Sequence, residues 1–396
     1  MDIRNKLSVR KYRVITAIGM AVGAPIISLA VAATAPDAVK YMSEAAKYTP
    51  VPISSDNADF SNGSLILYKP SVQPAPISSE SDVQNITDEQ EDEQAALLIR
   101  NISQAHEDLT VFSNESGIIN EKTFTSNGGP DFISLPGGGQ VRNCTELSNE
   151  SVAEESLKPC GINLELYSEE PQVLIIHTHT SESYEPSEKA YYDEDYTCRS
   201  SDPDNSVVAV GAAMAEELAS GGIAVLHDGT IHDAQYTGSY DRSLATTERL
   251  LAEFPSIKII LDVHRDAIEE QDGTRISAIT EINGEKAAQV MIISAADDGN
   301  YNMPYYLENF HFACALQQAI ESRYPTLTRP VLFQYCQYNQ QLSTGSLLIE
   351  VGSHGNSVDQ AVYSGRLVGR SLASMFNETV SEIHSNMPRF FLDKLR

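Results

Sequence analysis

Short apolar runs alternate with amphipathic segments along the C-terminal part of the chain, from about residue 138 onward. Predominantly apolar runs, typical of strands buried on both faces, predict strands at 173–176, 223–226, 257–263 and 347–351. Helical periodicity predicts helices over 205–220, 239–254, 304–323 and 358–376. Two further runs, 275–282 and 289–294, flank an Asn-Gly pair and predict a β-hairpin. This alternation predicts an α/β fold, a mostly parallel sheet with helices on both faces.

The N-terminus has a different pattern. Five basic residues within the first 13 precede an uncharged stretch of 22 residues from Val14 to Ala35, and a helix needs about 20 residues to cross a bilayer. The basic flank predicts that the following chain lies outside the cytoplasm. A cleaved signal peptide is the alternative, because Ala33-Thr34-Ala35 has the small-x-small form of a cleavage site. The length of the apolar stretch, together with Pro36, favours an uncleaved transmembrane anchor over 1–35.

Residues 36–137 are rich in Pro, Ser and Asn, and the interval from Glu80 to Glu93 is acidic without a single base. Such a segment buries too little apolar surface to offset its ordering entropy. We therefore expect an acidic, largely disordered stalk over 36–137, interrupted by one amphipathic helix near 88–109. The catalytic domain is then predicted to span 138–396.

Charge and cysteine content narrow the function. The formal net charge is −28, which argues against a nucleic-acid partner, because phosphate binding needs clustered Lys and Arg. The five cysteines include no CxxC pair, so they do not indicate a zinc site of that kind. Cys144 and Cys160 either close a short disulfide loop or remain unpaired.

Polar side chains follow three of the predicted strands, and sites in open α/β sheets form at the carboxyl ends of strands. A His-x-x-Glu pair with a distant His supplies three ligands to one Zn²⁺ and leaves a fourth position open. A nearby carboxylate can then move protons between water and a leaving amine. We therefore expect His179, Glu182 and His264 to be the zinc ligands. We expect Glu350 to be the catalytic acid/base.

Four segments resemble a known family when they are taken in order: VLIIHTHTSESY, VLHDGTIHDAQYTGSYDRS, IILDVHRDA and SLLIEVGSHGNS. They are similar to the stage II sporulation protein P family, the membrane-anchored peptidoglycan hydrolases of endospore-forming bacteria. The resemblance implies a fold like that of zinc amidases and zinc exopeptidases. It also implies cleavage between N-acetylmuramic acid and L-alanine, with an associated endopeptidase activity on peptide cross-links. The implied partners are stage II sporulation proteins D and M, which thin septal wall during engulfment, and the implied location is the cell membrane.

The resemblance places His179, Glu182 and His264 on the metal positions and Glu350 on the acid/base position. His177 remains an alternative to His179, because both lie on the same side of the strand. The segment after Glu350 departs from the family, since it reads Gly-Ser-His-Gly-Asn where Gly-Gly-Val-Asp-Asn is more usual.

Further polar residues stand near these motifs. His232 belongs to a second cluster with His227, Asp228 and Asp233, for which substrate contact or loop hydrogen bonding is favoured over a second metal. We expect Arg265 and Asp266 to orient the substrate or His264. Five tyrosines either line a groove for glycan or are simply packed, which is the more common role of a tyrosine near a loop; they are Tyr184, Tyr191, Tyr192, Tyr236 and Tyr240.

Two other functions compete with the amidase. A zinc carboxypeptidase would need an arginine for a free peptide carboxylate, and Arg265 is the one next to a predicted ligand. A catalytically idle wall-binding subunit should have lost ligands, whereas all four expected positions are filled. The residues therefore favour a hydrolase.

Overall fold

The computed structural model describes residues 65–70, 117–193 and 195–386. Its strands are β1 Leu65–Tyr68, β2 Gly117–Lys122, β3 Phe132–Ser134, β4 Gln140–Cys144, β5 Val173–Ile176, β6 Tyr191–Tyr192, β7 Val225–Asp228, β8 Ile259–Asp266, β9 Arg275–Ile282, β10 Glu285–Ala288, β11 Val290–Ala296, β12 Val331–Tyr335 and β13 Ser346–Ser353. Its helices are α1 Asn149–Ser156, α2 Val207–Ser220, α3 Ser239–Glu253, α4 Tyr306–Arg323 and α5 Val358–Asn386.

The predicted anchor at 14–35 and the predicted helix at 88–109 both lie outside these described residues. Among the helices within the described ranges, none combines the length and the apolar character that a membrane crossing requires.

Nine strands form the main sheet in the order β1-β7-β5-β8-β13-β11-β12-β4-β3. The neighbours β7, β5, β8 and β13 are parallel, and so are β11, β12 and β4. The pairs β1–β7, β13–β11 and β4–β3 are antiparallel. The predicted α/β class is therefore confirmed, and the sheet is mixed.

Helices cover both faces, as the burial of alternate strand residues requires. On β5, Val173 and Ile175 pack into one core with residues of α2, α4 and α5. Leu174 and Ile176 point to the opposite face, where they pack with Leu250 of α3. Because all four residues are buried, β5 reads as a continuous apolar run rather than an alternating one.

The predicted hairpin has the predicted turn but a different second strand. Asn283 and Gly284 have φ values of 52° and 82°, as a two-residue turn of type I′ requires. Such a turn places residue 285 directly opposite Ile282, so β9 pairs with β10 and not with 289–294. The chain then passes into the main sheet as β11, beside β13. The hairpin itself belongs to a second sheet of order β10-β9-β2-β6.

Three strands lie within 36–137, the range predicted as a stalk. β1 pairs with β7, β2 with β9, and β3 with β4. The first of these is an edge strand whose Leu65, Ile66 and Leu67 side chains are all exposed. The run Leu65–Tyr68 is apolar, but it stands alone within a segment rich in Pro, Ser and Asn, and the composition of that segment outweighed it in the prediction. The folded part thus includes segments on the N-terminal side of residue 138.

All five cysteines are free thiols in the structure. The alternative of a loop closed by Cys144 and Cys160 is therefore not the arrangement seen here.

Candidate active site

Three neighbouring parallel strands, β5, β8 and β13, bring the predicted site residues to one edge of the sheet. In register, Ile176 at the end of β5 lies opposite Asp262 of β8, and His264 lies opposite Glu350 of β13. Parallel strands run with their carboxyl ends at the same edge, so the loop after β5 meets His264 and Glu350 there.

His179, Glu182 and His264 lie together at this edge. The rings of His179 and His264 are perpendicular, with centroids 5.4 Å apart. His264 Nδ1 lies 3.4 Å from Glu182 Oε2. All three residues are buried, and His179 Nδ1 has no hydrogen-bond partner. The short helical turn after β5, closed by the Glu182 N–H donating to the His179 carbonyl at 3.0 Å, brings these two residues to the same place.

Two carboxylates flank His264 and set its protonation. Burial alone would lower the pKa of this histidine, but Asp262 and Glu182 outweigh burial and raise it well above its usual value. Burial would raise the pKa of Glu182, but His264 and Arg199 hold it below its usual range. His179 differs, because burial lowers its pKa to about 4 and keeps the imidazole neutral at pH 7. The centre thus holds two carboxylates beside a positive charge, with a neutral imidazole next to them.

Asp262 is a site residue that the sequence reasoning missed. Its Oδ1 lies 2.9 Å from His264 Nε2, at ion-pair distance although without the alignment of a hydrogen bond. The same carboxylate accepts the Thr178 N–H at 2.8 Å and the Thr178 hydroxyl at 2.7 Å. The signal was the Asp-Val-His order on β8, since residues i and i+2 of a strand share a face. Asp262 therefore holds one nitrogen of His264 and leaves Nδ1 facing Glu182.

His177 is engaged elsewhere, in a buried pair with His227. Its Nδ1 lies 2.8 Å from the Val263 carbonyl, and its Nε2 lies 2.9 Å from His227 Nε2. A carbonyl only accepts, so His177 Nδ1 carries the proton, and His227 must donate to His177 Nε2. Burial lowers the pKa of His177 to about 3 and that of His227 to about 4. Both nitrogens of His177 are thus used within the protein, whereas His179 has one without a partner.

Gly211 of α2 lies against this histidine pair, and substituting alanine there should destabilise the fold. A Cβ at this position would lie 2.7 Å from His177 ring atoms and 2.8 Å from His227 Nε2. Alanine gains about 1 kcal/mol over glycine within a helix, but overpacking a rigid core costs about 1–3 kcal/mol. We expect Gly211→Ala to lower the thermal midpoint by a few degrees. Gly161→Ala is the matched control, because nothing lies near its Cβ position. Equal midpoints for the two variants would contradict this packing.

Glu350 stands apart from the His-x-x-Glu cluster, as its position on another strand predicts. Its Oε2 is buried and has no hydrogen-bond partner. Burial, with Asp266 adding to it, raises the pKa of Glu350 to about 8. A β-bulge follows directly, because the register with β8 shifts between Glu350 and Ser353. A carboxyl group with this pKa can both hold and release a proton near neutral pH.

Arg265, Asp266 and His232 serve the scaffold of the site. Arg265 is buried and donates to the Ser183 and Cys198 carbonyls at 2.7 and 2.8 Å, while its backbone N–H donates to Glu182 Oε2 at 3.2 Å. Asp266 pairs with Arg329 at 2.8 Å. His232 Nδ1 donates to the His177 carbonyl at 2.9 Å, and its Nε2 lies 3.0 Å from the Thr246 hydroxyl.

The second polar cluster does not assemble as one group. His227 pairs with His177, and Asp228 accepts from the Thr230 N–H and hydroxyl within the following turn. Asp233 accepts from the Ser181 N–H and hydroxyl and from Arg199. These contacts are hydrogen bonds within and between the loops of the site.

Tyrosines line one side of the site, but only some of those predicted. Tyr236 stacks on His179 with centroids 4.8 Å apart, and Tyr240 lies parallel to His264 at 6.4 Å. Tyr338, which the sequence reasoning missed, contacts Tyr240 at 5.5 Å and has a strained φ of 49°. Tyr184 is instead fully buried and donates to the Val351 carbonyl, and Tyr191 and Tyr192 form β6 of the second sheet.

Within the described ranges, no group of three or more His, Cys, Asp or Glu side chains is arranged as a finished metal site. The donor chemistry of the three predicted ligands nevertheless fits zinc, which takes imidazole and carboxylate ligands. His179 Nδ1 is buried and has no hydrogen-bond partner, so it can serve as a ligand atom.

The fold and the site define a mixed α/β protein with a histidine-carboxylate centre at the carboxyl ends of parallel strands. Residues 48–373 match the family model of stage II sporulation protein P. The chain belongs to this family.

A curated relative, stage II sporulation protein P of Bacillus subtilis strain 168, is 29% identical over 200 residues, which cover 48% of this chain and 47% of the relative. The match therefore spans about half the length of that relative.

Solved structures with similarity to this chain include enzymes of two kinds. The CwlD amidase from Clostridioides difficile, solved in complex with the GerS lipoprotein, is 10% identical, with a TM-score of 0.32 and coverage of 52% of this chain and 98% of that one. A metallo-carboxypeptidase from Burkholderia cenocepacia is 10% identical, with a TM-score of 0.30 and coverage of 55% and 60%.

Proposed function

We propose that this protein is a membrane-anchored, zinc-dependent peptidoglycan hydrolase of sporulation. Its reaction is cleavage of the amide between the lactyl group of N-acetylmuramic acid and the L-alanine of the stem peptide. Membership in the stage II sporulation protein P family supports the biological setting. The observation that carries the chemistry is the meeting of His179, Glu182, His264 and Glu350 at the ends of neighbouring strands.

In this proposal His179, Glu182 and His264 would hold the zinc, which would supply Lewis acidity toward the attacking water and the scissile carbonyl. Glu350 takes a proton from that water as the water oxygen bonds to the carbonyl carbon. The same carboxyl then gives the proton to the amine nitrogen as the carbon–nitrogen bond breaks. A pKa raised to about 8 by burial suits the second of these tasks. Asp262 and the Arg265 backbone N–H keep His264 and Glu182 in place.

The carboxypeptidase alternative loses the arginine that the sequence assigned to it. Such an enzyme needs an arginine with free donors for the terminal carboxylate, and Arg265 was the expected residue. Arg265 is buried and gives its N–H groups to backbone carbonyls of Ser183, Cys198 and Asp266. It therefore holds the loop after β5 and does not face a substrate.

The setting of the enzyme completes the proposal. Residues 1–35 anchor the protein in the cell membrane by a single span, and the catalytic domain lies outside the cytoplasm. The protein acts on septal wall during engulfment, together with stage II sporulation proteins D and M.

The test is mass analysis of the fragments that the full-length protein releases from purified peptidoglycan with added zinc. The full chain is needed, because a protein that began at residue 138 would lack β1, β2 and β3. Free stem peptides that begin with L-alanine are the expected product. Shortened cross-links with intact lactyl amides would show a peptidase instead, and an unchanged wall would refute hydrolysis.

Asp262→Asn should weaken zinc binding about 10- to 100-fold, the usual effect of losing the group that orients a histidine ligand. The amide removes the negative charge beside His264 Nε2, although it keeps the size of the carboxylate. Zinc affinity is measured by competition with a chromophoric chelator. Asp228→Asn is the matched control, because Asp228 is also a buried carboxylate at a strand end bonded to a threonine. Equal affinity in both variants would contradict the role of Asp262.

A further inference from the structure

Arg199 is an arginine at the rim of the site, and its side chain is 33% exposed. It lies in the loop between β6 and α2, and its Nη2 is 3.6 Å from Glu182 Oε1. Its guanidinium also lies over the ring of Tyr236, 5.5 Å from the centroid. Because Tyr236 stacks on His179, Arg199 faces the same space as two of the proposed ligands.

One edge of the guanidinium is fixed by the protein. Nη1 donates to Asp233 Oδ2 at 2.8 Å and lies 3.4 Å from the Ser181 hydroxyl. Asp233 is itself fully buried and accepts the Ser181 N–H and hydroxyl. The position of Arg199 is therefore set before any ligand arrives, which lowers the entropy cost of binding.

The other edge lies at ion-pair distance from Glu182 but donates no hydrogen bond to the described residues. Nε donates to none of the described residues, and the 3.6 Å between Nη2 and Glu182 is longer than a hydrogen bond. The Nε–H and one N–H of Nη2 point the same way along this edge, with the spacing of the two oxygens of a carboxylate. Arg265 is buried and donates to backbone carbonyls. Arg329 pairs with Asp266 through Nη1, and its Nε and Nη2 have no partner, but it is buried and is not exposed at the rim as Arg199 is.

We propose that Arg199 binds a carboxylate of the substrate peptide and so selects stem peptides with an acidic group near the scissile amide. This inference rests on the proposed function. In the stem peptide, the residue after L-alanine is a γ-linked glutamate with a free α-carboxylate, and the chain ends in a second carboxylate. Either group presents the two oxygens that the free edge of Arg199 matches.

The test uses three synthetic muramoyl tripeptides that are cleaved by the full-length protein with zinc. One keeps both carboxylates, one has a carboxamide at the second residue, and one has a carboxamide at the C-terminus. One of the two carboxamide substrates lacks the carboxylate that Arg199 recognises. For the parent protein, KM should be about tenfold higher for this substrate, because a charge-assisted hydrogen bond is lost. The substrate that shows this rise identifies which of the two carboxylates is bound.

Arg199→Gln should raise KM about tenfold for the substrate with both carboxylates. It should leave KM unchanged for the carboxamide substrate that the parent binds more weakly, since the substitution in the protein and the carboxamide in the substrate remove the same contact. Arg199→Lys should recover only part of the loss, because an ammonium group cannot pair side by side with two oxygens. Arg249→Gln is the surface control, because this exposed arginine of α3 pairs only with Glu253 among the described residues. Its KM should match that of the parent.

Zinc affinity separates substrate binding from an effect through Glu182. Arg199→Gln that loses zinc, or that raises KM equally for all three substrates, would overturn the inference. Parental kinetics for Arg199→Gln on the acidic substrate would overturn it as well. If the parent cleaves none of the tripeptides or peptidoglycan, the proposed function has failed and the inference fails with it.

Discussion

Glu350→Gln should bind zinc like the parent and turn over peptidoglycan at least about 100-fold more slowly. Glutamine keeps the size of the side chain but cannot accept the proton of the attacking water, and general acid-base groups contribute about 10²- to 10⁴-fold. Glu350 lies on β13 and not in the His-x-x-Glu turn, so metal binding should survive its loss. The measurement is the rate of fragment release by mass analysis, together with a chelator competition for zinc.

The free energy of unfolding of Glu350→Gln shows whether this variant is folded. The ordinary pKa of Glu350 is 4.5, and burial raises it to about 8 in the folded state. A group with a raised carboxyl pKa binds a proton on folding, so the parent loses stability as the pH rises from about 4.5 to 8. Zinc-free Glu350→Gln has no such group and should be at least as stable as the parent at pH 8. Cleavage at the parental rate would refute the role of Glu350, and loss of zinc would make Glu350 a ligand.

His179→Ala should lose zinc affinity by more than about 100-fold, because even the groups that orient ligands contribute 10- to 100-fold. The fold should tolerate this change, since His179 Nδ1 has no hydrogen-bond partner to leave behind. Activity should fall with the zinc content, and chelation of the parent should have the same effect. Zinc content after dialysis and the thermal midpoint are the measurements.

His177→Ala is the matched comparison within the same motif. It removes a ring that bonds to the Val263 carbonyl and to His227, and leaving buried groups unsatisfied costs about 1–3 kcal/mol each. We expect a lower thermal midpoint with zinc still bound below the transition. If His177→Ala loses zinc and His179→Ala keeps it, the two histidines have the opposite roles.

Local pattern gave the strand ends, and with them the site. Val173–Ile176, Ile259–Leu261 and Leu347–Ile349 are apolar because the strands are covered on both faces by helices. A polar residue that ends such a run must lie at the edge of the sheet, which is why His264 and Glu350 could be named in advance. The Asn-Gly turn at 283–284 was equally local, and it was predicted for the same reason.

Strand pairing was not local. The predicted partner of β9 was wrong, because β11 reads as a good strand without saying which sheet it joins. β2 and β3 carry little apolar pattern, and the apolar run of β1 stands alone in a segment rich in Pro, Ser and Asn. β1 and β3 lie at sheet edges, and β1 and β2 pair with strands that are distant in the sequence. Edge strands of this kind become visible only when the sheet that they extend is known.

The sequence by itself determined which side chains reach the edge of the sheet, through hydrophobic runs that end in histidine or glutamate. Only the tertiary structure decided what each of them does there, because their partners come from elsewhere in the chain. His177 and His179 have the same local sequence setting. His227, which is 50 residues from His177, contacts His177 and not His179. Asp262, Arg199 and Tyr338 became site residues in the same way, since burial, charge and hydrogen-bond partners are properties of packing and not of spacing.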